Sequence, residues 1–129
     1  MSKRILVVED QEDNRRILRD LLTSKGYEII EAVDGEEGVA MAGEHIPDLI
    51  LMDIQLPGLD GYEATRRIKS NTDLAGIPII AVTSYALSGD ETKAKEAGCD
   101  DYISKPYSPR VLLSKVHENL GDLPESGTP

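Results

Sequence analysis

The chain has 129 residues, the size of one domain, and no apolar stretch in it approaches the roughly 20 residues that a membrane-spanning helix needs. Hydrophobic residues make up 40% and charged residues 29% of the chain, which is ordinary for a globular protein. The formal net charge of -10 and the absence of Trp and Phe argue against direct nucleic-acid binding, whereas they suit a chain that binds a divalent cation or a basic partner surface.

The first half of the chain predicts two strand–helix units. The apolar run ILVV at 5–8 predicts a buried strand. The helix after it ends at Gly26 and has an apolar stripe formed by Ile17, Leu18, Leu21 and Leu22. Residues 28–32 (EIIEA) predict a weaker strand, and the Ala- and Glu-rich segment 35–44 predicts a second helix that ends before Pro47.

The second half repeats this alternation three times. DLILMD at 48–53 and IPIIAVTS at 77–84 predict strong strands, and DYIS at 101–104 predicts a short one. Helices are predicted over 60–70 and 86–97, and a last helix follows the fifth strand. Near-continuous apolar strands that alternate with helices are typical of a parallel sheet covered on both faces, so the sequence predicts a doubly wound α/β fold.

The last helix has the clearest boundaries. Ser108 is a favourable N-cap, Pro109 suits the first helical position, and Gly121 closes the helix. We expect one domain over residues 1–121 and a loose polar tail over 122–129 (DLPESGTP).

Polar side chains follow the predicted strands at the points where the strands end. They are Glu9 and Asp10 after the first strand, Asp53 at the end of the third, Thr83 and Ser84 at the end of the fourth, and Lys105 after the fifth. Right-handed crossovers place the first and third strands side by side, with the fourth and fifth beyond, and ligands bind outside the carboxyl ends of such strands. We therefore expect these side chains to converge on one pocket.

Three carboxylates in one pocket repel one another, and a bound cation removes that repulsion. Mg²⁺ prefers oxygen ligands and shares its site with phosphate oxygens, and Mn²⁺ is the alternative ion. Lys105 adds a fixed positive charge and Thr83 adds a hydroxyl donor. Because carboxylates act as nucleophiles in forming aspartyl phosphates, these residue types favour phosphoryl transfer to Asp53.

Four separated segments resemble the receiver domain of bacterial two-component response regulators. They are VVED at 7–10, LMDIQLPGLDG at 51–61, AVTS at 81–84 and YISKP at 102–106, and the resemblance extends over about residues 4 to 120. Single-domain regulators of the chemotaxis and cell-cycle type are the most similar. The resemblance implies a flavodoxin-like, three-layer αβα fold with five helices and a five-stranded parallel sheet in the order 2-1-3-4-5.

The resemblance also implies roles for the acidic residues. Asp53 would be the phosphoacceptor. Asp10 would bind the metal directly, and Glu9 would bind it directly or through water. Gln55 stands where the family supplies a backbone carbonyl to the metal.

For the remaining site residues the resemblance implies a switch. Thr83 and Lys105 would contact the phosphoryl group, and Tyr102 would be the aromatic residue whose orientation follows that of Thr83. The Lys105–Pro106 pair resembles a cis peptide bond of the family.

The implied function is that of a single-domain response regulator. It would take a phosphoryl group from the phosphohistidine of a sensor histidine kinase or a histidine phosphotransfer protein, and would catalyse only its own phosphorylation and dephosphorylation. Its output would be a contact with a downstream protein effector or kinase through the face formed by residues 86–120. We expect a cytoplasmic monomer without membrane insertion, because the chain has no secretory signal and Cys99 alone allows no internal disulfide.

Three alternatives stay open at the level of sequence. A Mg-dependent phosphatase of the haloacid-dehalogenase type shares the Asp, Thr and Lys set, but it needs a second Asp where this chain has Gln55. A flavodoxin-like cofactor carrier needs a phosphate-cradling loop after the first strand, where this sequence has EDQEDN. A receiver excised from a hybrid histidine kinase would carry the same motifs, although the start at Met1 and the short tail favour a stand-alone chain.

Overall fold

A sheet of five parallel strands forms the centre of the protein. The computed structural model describes residues 3–83 and 90–120. The strands are β1 (Arg4–Val8), β2 (Glu28–Ala32), β3 (Leu49–Asp53), β4 (Ile79–Thr83) and β5 (Asp101–Ser104). They lie in the order β2-β1-β3-β4-β5, which confirms the predicted topology.

One predicted strand is shorter than expected at its start. β4 begins at Ile79, not at Ile77. Pro78 has no N–H for a ladder hydrogen bond, and the Ile77 N–H instead donates to the Leu74 carbonyl in the preceding turn. The end of the prediction, Ser84, lies outside the described residues.

Helices lie on both faces of this sheet. They are α1 (Glu12–Thr23), α2 (Gly35–His45), α3 (Gly61–Lys69), α4 (Asp90–Ala97) and α5 (Pro109–Leu120). The Ser108 hydroxyl accepts a hydrogen bond from the Val111 N–H at 3.1 Å, which confirms the predicted N-cap of α5. Residues 86–89 of the predicted fourth helix, Gly121 and the tail 122–129 lie outside the described residues. Among the described helices, none combines the length and apolar character that crossing a membrane requires.

The sheet separates two hydrophobic clusters. One cluster contains Ala42, Ala64, Ile68 and Ala94 from α2, α3 and α4, and the other contains Leu18, Leu22, Leu112 and Val116 from α1 and α5. Strand residues alternate between the two clusters, so Leu6 belongs to the first and Val7 to the second. The molecule is therefore a three-layer αβα structure.

The apolar stripe predicted for α1 is wider than the buried face of that helix. Leu18 and Leu22 are buried, but Ile17 is 58% exposed. Residues 18 and 22 are one helical turn apart and face the sheet together, whereas residue 17 is rotated towards the edge of the layer. Ile17 therefore lies on the surface, next to the carboxyl ends of the strands.

Candidate functional site

Three carboxylates meet at the carboxyl end of the sheet, as predicted. Glu9 and Asp10 follow β1, and Asp53 is the last residue of the neighbouring strand β3. One carboxylate oxygen from each of these residues lies within 4.8 Å of the other two. Glu9 and Asp53 are only 2% and 4% exposed, so water can stabilise little of their negative charge.

Lys105 provides the positive charge of this cluster. Its Nζ lies 3.2 Å from Glu9 Oε1 and 3.5 Å from Asp53 Oδ2. The parallel strand order allows this contact, because the loop after β5 lies at the same end of the sheet as the ends of β1 and β3. The peptide bond between Lys105 and Pro106 is cis, as the resemblance implied.

Backbone N–H groups bind the carboxylate oxygens of Glu9 and Asp53 that do not contact Lys105. The Gln11 N–H donates to Glu9 Oε2 and the Gln55 N–H donates to Asp53 Oδ1, both at 3.0 Å. Each of these donors lies two residues after its acceptor, in the turn that leaves the strand. The turns therefore orient the carboxylates towards each other and towards Lys105.

The surroundings of Glu9 and Asp53 shift the pKa values of the two carboxyl groups in opposite directions. Burial, followed by the charge of Glu9, raises the pKa of Asp53 to about 6. Burial also opposes ionisation of Glu9, but the Gln11 N–H and Lys105 outweigh it and hold the pKa of Glu9 below its ordinary value. Burial of the Lys105 ammonium is likewise outweighed, by Asp53 and Glu9, so the pKa of Lys105 is raised.

The donor set of this cluster fits a hard divalent cation. Glu9, Asp10 and Asp53 all offer oxygen atoms, which Mg²⁺ and Mn²⁺ prefer, and one oxygen of each lies within 4.8 Å of the others, so a small movement would let all three bind one ion. A cation among them would also offset the repulsion from Glu9, which acts together with the larger effect of burial to raise the pKa of Asp53. The backbone of Gln55 lies beside this cluster through its N–H contact with Asp53.

Thr83 and Tyr102 occupy neighbouring strands on the same face of the sheet. Thr83 ends β4, is 2% exposed and pairs with Ser104, while Tyr102 lies two residues before Ser104 and pairs with Ala81. Tyr102 is partly buried and packs against the cluster that includes Ala81, Ala94 and Cys99. This placement is compatible with the predicted coupling of the two residues.

Open space borders Tyr102 on both sides of β5. A cavity of about 260 Å³ lies towards α4 and is lined by Ala94, Lys95 and Cys99 among others. A second cavity of about 450 Å³ lies towards α5 and is lined by Pro106, Tyr107 and Val111 among others. Tyr102 therefore lines a cavity on the α4 side of β5 and another on the α5 side.

Two glycines determine how closely the helices approach the site. A Cβ on Gly61 would lie 2.3 Å from the carbonyl oxygen of Asp53, and a Cβ on Gly35 would lie 2.3 Å from that of Leu59. The Gly61 N–H donates to the Ile54 carbonyl at 3.0 Å, so α3 starts directly against the end of β3. The motif LMDIQLPGLDG at 51–61 ends at Gly61, but only the fold shows why that position excludes a side chain.

Sequence reasoning missed two further residues near the carboxylates. Arg15 on α1 donates from Nη1 to the Glu9 carbonyl at 2.9 Å, and nothing in the helical pattern of the sequence pointed to that contact. Tyr107 is half-buried, and the charges of Lys105, Glu9 and Asp53 all act on its hydroxyl. Tyr107 also lines a cavity of about 300 Å³ together with Asn14, Ile17, Lys105 and Pro106.

Comparison with known proteins identifies the family. The sequence profile of the response regulator receiver domain matches residues 5–117. The polar-differentiation response regulator DivK of Brucella ovis is 46% identical over 122 residues, which cover 95% of this chain and 99% of that protein.

Solved structures agree with this assignment. The receiver domain of a sensor histidine kinase from Pseudomonas aeruginosa PAO1, which has a magnesium ion coordinated in its active site cleft, is 38% identical with a TM-score of 0.88, over 95% of this chain and all (100%) of that one. Chemotaxis protein CheY4 of Vibrio cholerae is 25% identical with a TM-score of 0.88, over 92% and 99% of the two chains. These matches favour neither the haloacid-dehalogenase phosphatase nor the flavodoxin-like cofactor carrier. The chain belongs to the response regulator receiver domain family of two-component systems.

Proposed function

We propose that the protein is a single-domain response regulator whose Asp53 accepts a phosphoryl group from a phosphohistidine. The observation that carries this proposal is the position of Asp53, whose carboxylate lies among Glu9, Asp10 and the Lys105 ammonium at the open end of the sheet. The donor would be a sensor histidine kinase or a histidine phosphotransfer protein. The protein itself would act in the cytoplasm as a monomer.

The reaction requires a nucleophile, in-line approach and neutralisation of the phosphoryl oxygens. An Asp53 carboxylate oxygen attacks the phosphorus, the new P–O bond forms as the P–N bond to the imidazole breaks, and the imidazole nitrogen takes a proton from solvent as it leaves. Lys105 is close enough to Asp53 to pair with a phosphoryl oxygen bound there. The Thr83 hydroxyl would donate a second hydrogen bond to that group.

Glu9, Asp10 and Asp53 would hold the metal in this proposal, with the Gln55 carbonyl as a further ligand. When bound, Mg²⁺ or Mn²⁺ supplies charge neutralisation to the carboxylates and to the phosphoryl oxygens. Asp10 is more exposed than Glu9 and Asp53, and so it also faces the side from which the cation and the phosphoryl donor must enter.

The output in this proposal is a change of protein contacts through the face formed by residues 86–120. Phosphorylation would draw the Thr83 hydroxyl towards Asp53, and the Tyr102 ring would turn into the space beside β4. A downstream effector or kinase would then bind the altered surface of α4, β5 and α5. The two cavities that Tyr102 lines support this proposal, because side chains do not fill this part of the surface completely.

Intact-mass analysis after incubation with acetyl phosphate and Mg²⁺ tests the chemistry. Wild-type protein should gain one phosphoryl group and Asp53→Asn should gain none, because the amide is a poor nucleophile. The control is Asp73→Asn, which changes an exposed carboxylate outside the site and should be phosphorylated like the wild type. Phosphorylation that persists in Asp53→Asn would refute the assignment.

A further inference from the structure

Arg15 connects α1 to the turn that carries Glu9 and Asp10. Its Nη1 donates to the Glu9 carbonyl at 2.9 Å, and its Nε lies 3.2 Å from Glu31 Oε1 on β2. The Arg15 side chain is 14% exposed, so the guanidinium lies largely beneath the turn. Glu31 also pairs with Arg19 at 3.2 Å through its other oxygen, which keeps the carboxylate of Glu31 in place.

The Glu9 carbonyl belongs to the same planar peptide group as the Asp10 N–H. Holding this carbonyl therefore sets the direction in which the chain continues into Asp10. The Glu9 N–H is held as well, because it donates to the Ala32 carbonyl at 3.0 Å. Both peptide groups of Glu9 are thus tied to β2, one directly and the other through Arg15 and Glu31.

The Asp10 carboxylate depends on this backbone. Within residues 3–83 and 90–120, Asp10 has no side-chain hydrogen bond or ion pair, whereas Glu9 and Asp53 each have several. The position of the Asp10 carboxylate among the three carboxylates is consequently set by the peptide group before it.

We propose that Arg15 is a positioning residue for divalent-cation binding, acting through the Glu9–Asp10 peptide group and itself held by Glu31. This inference rests on the proposed metal site of Glu9, Asp10 and Asp53. An arginine is needed here because its planar fork reaches two acceptors in different directions, which the single ammonium of lysine cannot do in the same geometry. The contact is of the kind in which a residue outside the ligand set orients a ligand.

Because Arg15 is positively charged, the direction in which its removal changes cation affinity tests the inference. A positive charge close to a cation site weakens cation binding by repulsion, so removal of a guanidinium that acted only through its charge would tighten binding. Removal of a guanidinium that positions Asp10 weakens binding, because Asp10 must then be ordered when the cation binds. The two roles of Arg15 thus predict opposite changes of the dissociation constant.

The experiment measures the dissociation constant of Mn²⁺ from the full chain, by electron paramagnetic resonance of the free ion. Arg15→Met should bind Mn²⁺ about tenfold more weakly than the wild type. Arg15→Lys keeps the charge but cannot hold both acceptors, and it should also bind more weakly. The matched control is Arg16→Met, because Arg16 is the neighbouring residue on α1, is 59% exposed and pairs only with Asp13 among the described residues.

A second readout separates positioning from general stability. In EDTA, the amide resonance of Asp10 should shift in Arg15→Met and stay in place in Arg16→Met, because Arg15 donates to that peptide group whereas Arg16 pairs with Asp13. Circular dichroism verifies that each variant is folded. If Arg15→Met does not fold, Arg15→Lys decides the question with the charge retained.

The outcomes distinguish this inference from the proposed site on which it rests. Equal or tighter Mn²⁺ binding by Arg15→Met overturns the positioning role, and so does wild-type binding by Arg15→Lys. Asp10→Asn, measured in the same way, should lose most of the Mn²⁺ affinity. If Asp10→Asn binds like the wild type, the metal site itself is wrong. If only Asp10→Asn is affected, the site stands and the role of Arg15 falls.

Discussion

The carboxylate of Asp53 is held in surroundings that oppose its own charge. It is 4% exposed and has Glu9 as a neighbour, and burial together with that neighbour raises its pKa to about 6. Lys105 and the Gln55 N–H offset only part of this cost. Any ligand that brings positive charge to Asp53 therefore binds with a gain that an ordinary surface carboxylate would not provide.

Ile46 is the residue with a strained backbone in the described chain. It has φ 46 and ψ 67, follows α2 as its C-cap and is 56% exposed. The left-handed region is unfavourable for a β-branched side chain and costs on the order of 1 kcal/mol or more, whereas glycine adopts it freely.

We predict that Ile46→Gly raises the free energy of unfolding by about 0.5–1 kcal/mol, measured by urea denaturation. Because Ile46 is exposed, little apolar packing is lost with its side chain. Val33→Gly is the control, since Val33 is a β-branched residue that is also exposed, at 44%, but has no positive φ, and it should be destabilised. A lower free energy of unfolding in Ile46→Gly would show that the backbone conformation of Ile46 is not destabilising.

At the scale of the elements, α3 is attached to β3 by close backbone contact. Asp60 caps the helix by accepting from the Glu63 N–H at 2.9 Å, and Gly61 follows it directly against the Asp53 carbonyl. The helix cannot move away from β3 without disturbing the peptide that carries Asp53. The packing of α3 and the position of Asp53 therefore depend on each other.

We predict that Gly61→Ala lowers the free energy of unfolding by about 1–3 kcal/mol, because a methyl group placed 2.3 Å from a backbone oxygen forces the two elements apart. Gly43→Ala is the matched control within α2, where nothing lies within 4 Å of the added Cβ, and it should be stabilising by about 0.5–1 kcal/mol. Thermal or urea denaturation of both variants measures the effect. Stabilisation of Gly61→Ala as well would show that the contact is not rigid.

Asp101 joins β5 to α5. Its carboxylate accepts from Lys115 Nζ at 3.0 Å and from Asn119 Nδ2 at 2.8 Å. Burial would raise the pKa of Asp101, but these two donors and the Tyr102 N–H outweigh it, so the pKa of Asp101 is lowered. A carboxyl group with a lowered pKa stabilises the folded state above its unfolded pKa, and this contribution is lost as the pH falls through its folded pKa.

We predict that Asp101→Asn lowers the free energy of unfolding by about 1 kcal/mol at pH 7, and that its difference from the wild type shrinks below about pH 4. Urea denaturation at pH 7 and pH 3 measures both values. Lys115→Met removes one partner of the same carboxylate and should show the same trend with pH. A difference that stays constant between the two pH values would mean that the charge of Asp101 contributes nothing.

At the scale of the whole molecule, one sheet connects the carboxylate site to the surface formed by α4, β5 and α5. β4 lies between β3, which ends at Asp53, and β5, which precedes Lys105 and contacts both α4 and α5. Thr83 at the end of β4 and Tyr102 on β5 form the link between the site and that surface in our proposal. Phosphorylation can shift the population of this surface only through contacts that differ between the two states.

We predict that Thr83→Ala still accepts Mg²⁺ and beryllofluoride at Asp53 but shows a smaller change in amide hydrogen exchange over residues 90–120. Without its hydroxyl, residue 83 could not form the hydrogen bond to the phosphoryl group that favours the active state in our proposal. Thr65→Ala removes a buried hydroxyl on α3, outside the site, and should keep the full wild-type change. A full change in Thr83→Ala would disprove the coupling and leave Tyr102 a packing residue.

The sequence by itself predicted five strands and the polar residues at their ends, and its resemblance to receiver domains implied the strand order. Five short apolar runs can be buried only in the centre of a layered fold, and right-handed crossovers leave few orders for them. It also predicted Glu9, Asp10, Asp53 and Lys105 as neighbours, although 96 residues separate Lys105 from Glu9.

Only the tertiary structure decided which surfaces those elements present to one another. The helical pattern placed Ile17 in the apolar stripe, but the width of the covering layer left Ile17 exposed. Arg15 belongs to the polar side of the same pattern, and its contact with the Glu9 carbonyl depends on where α1 crosses the turn after β1. Periodicity defines the faces of a helix or strand, whereas the distances across those faces arise from the packing of all the layers together.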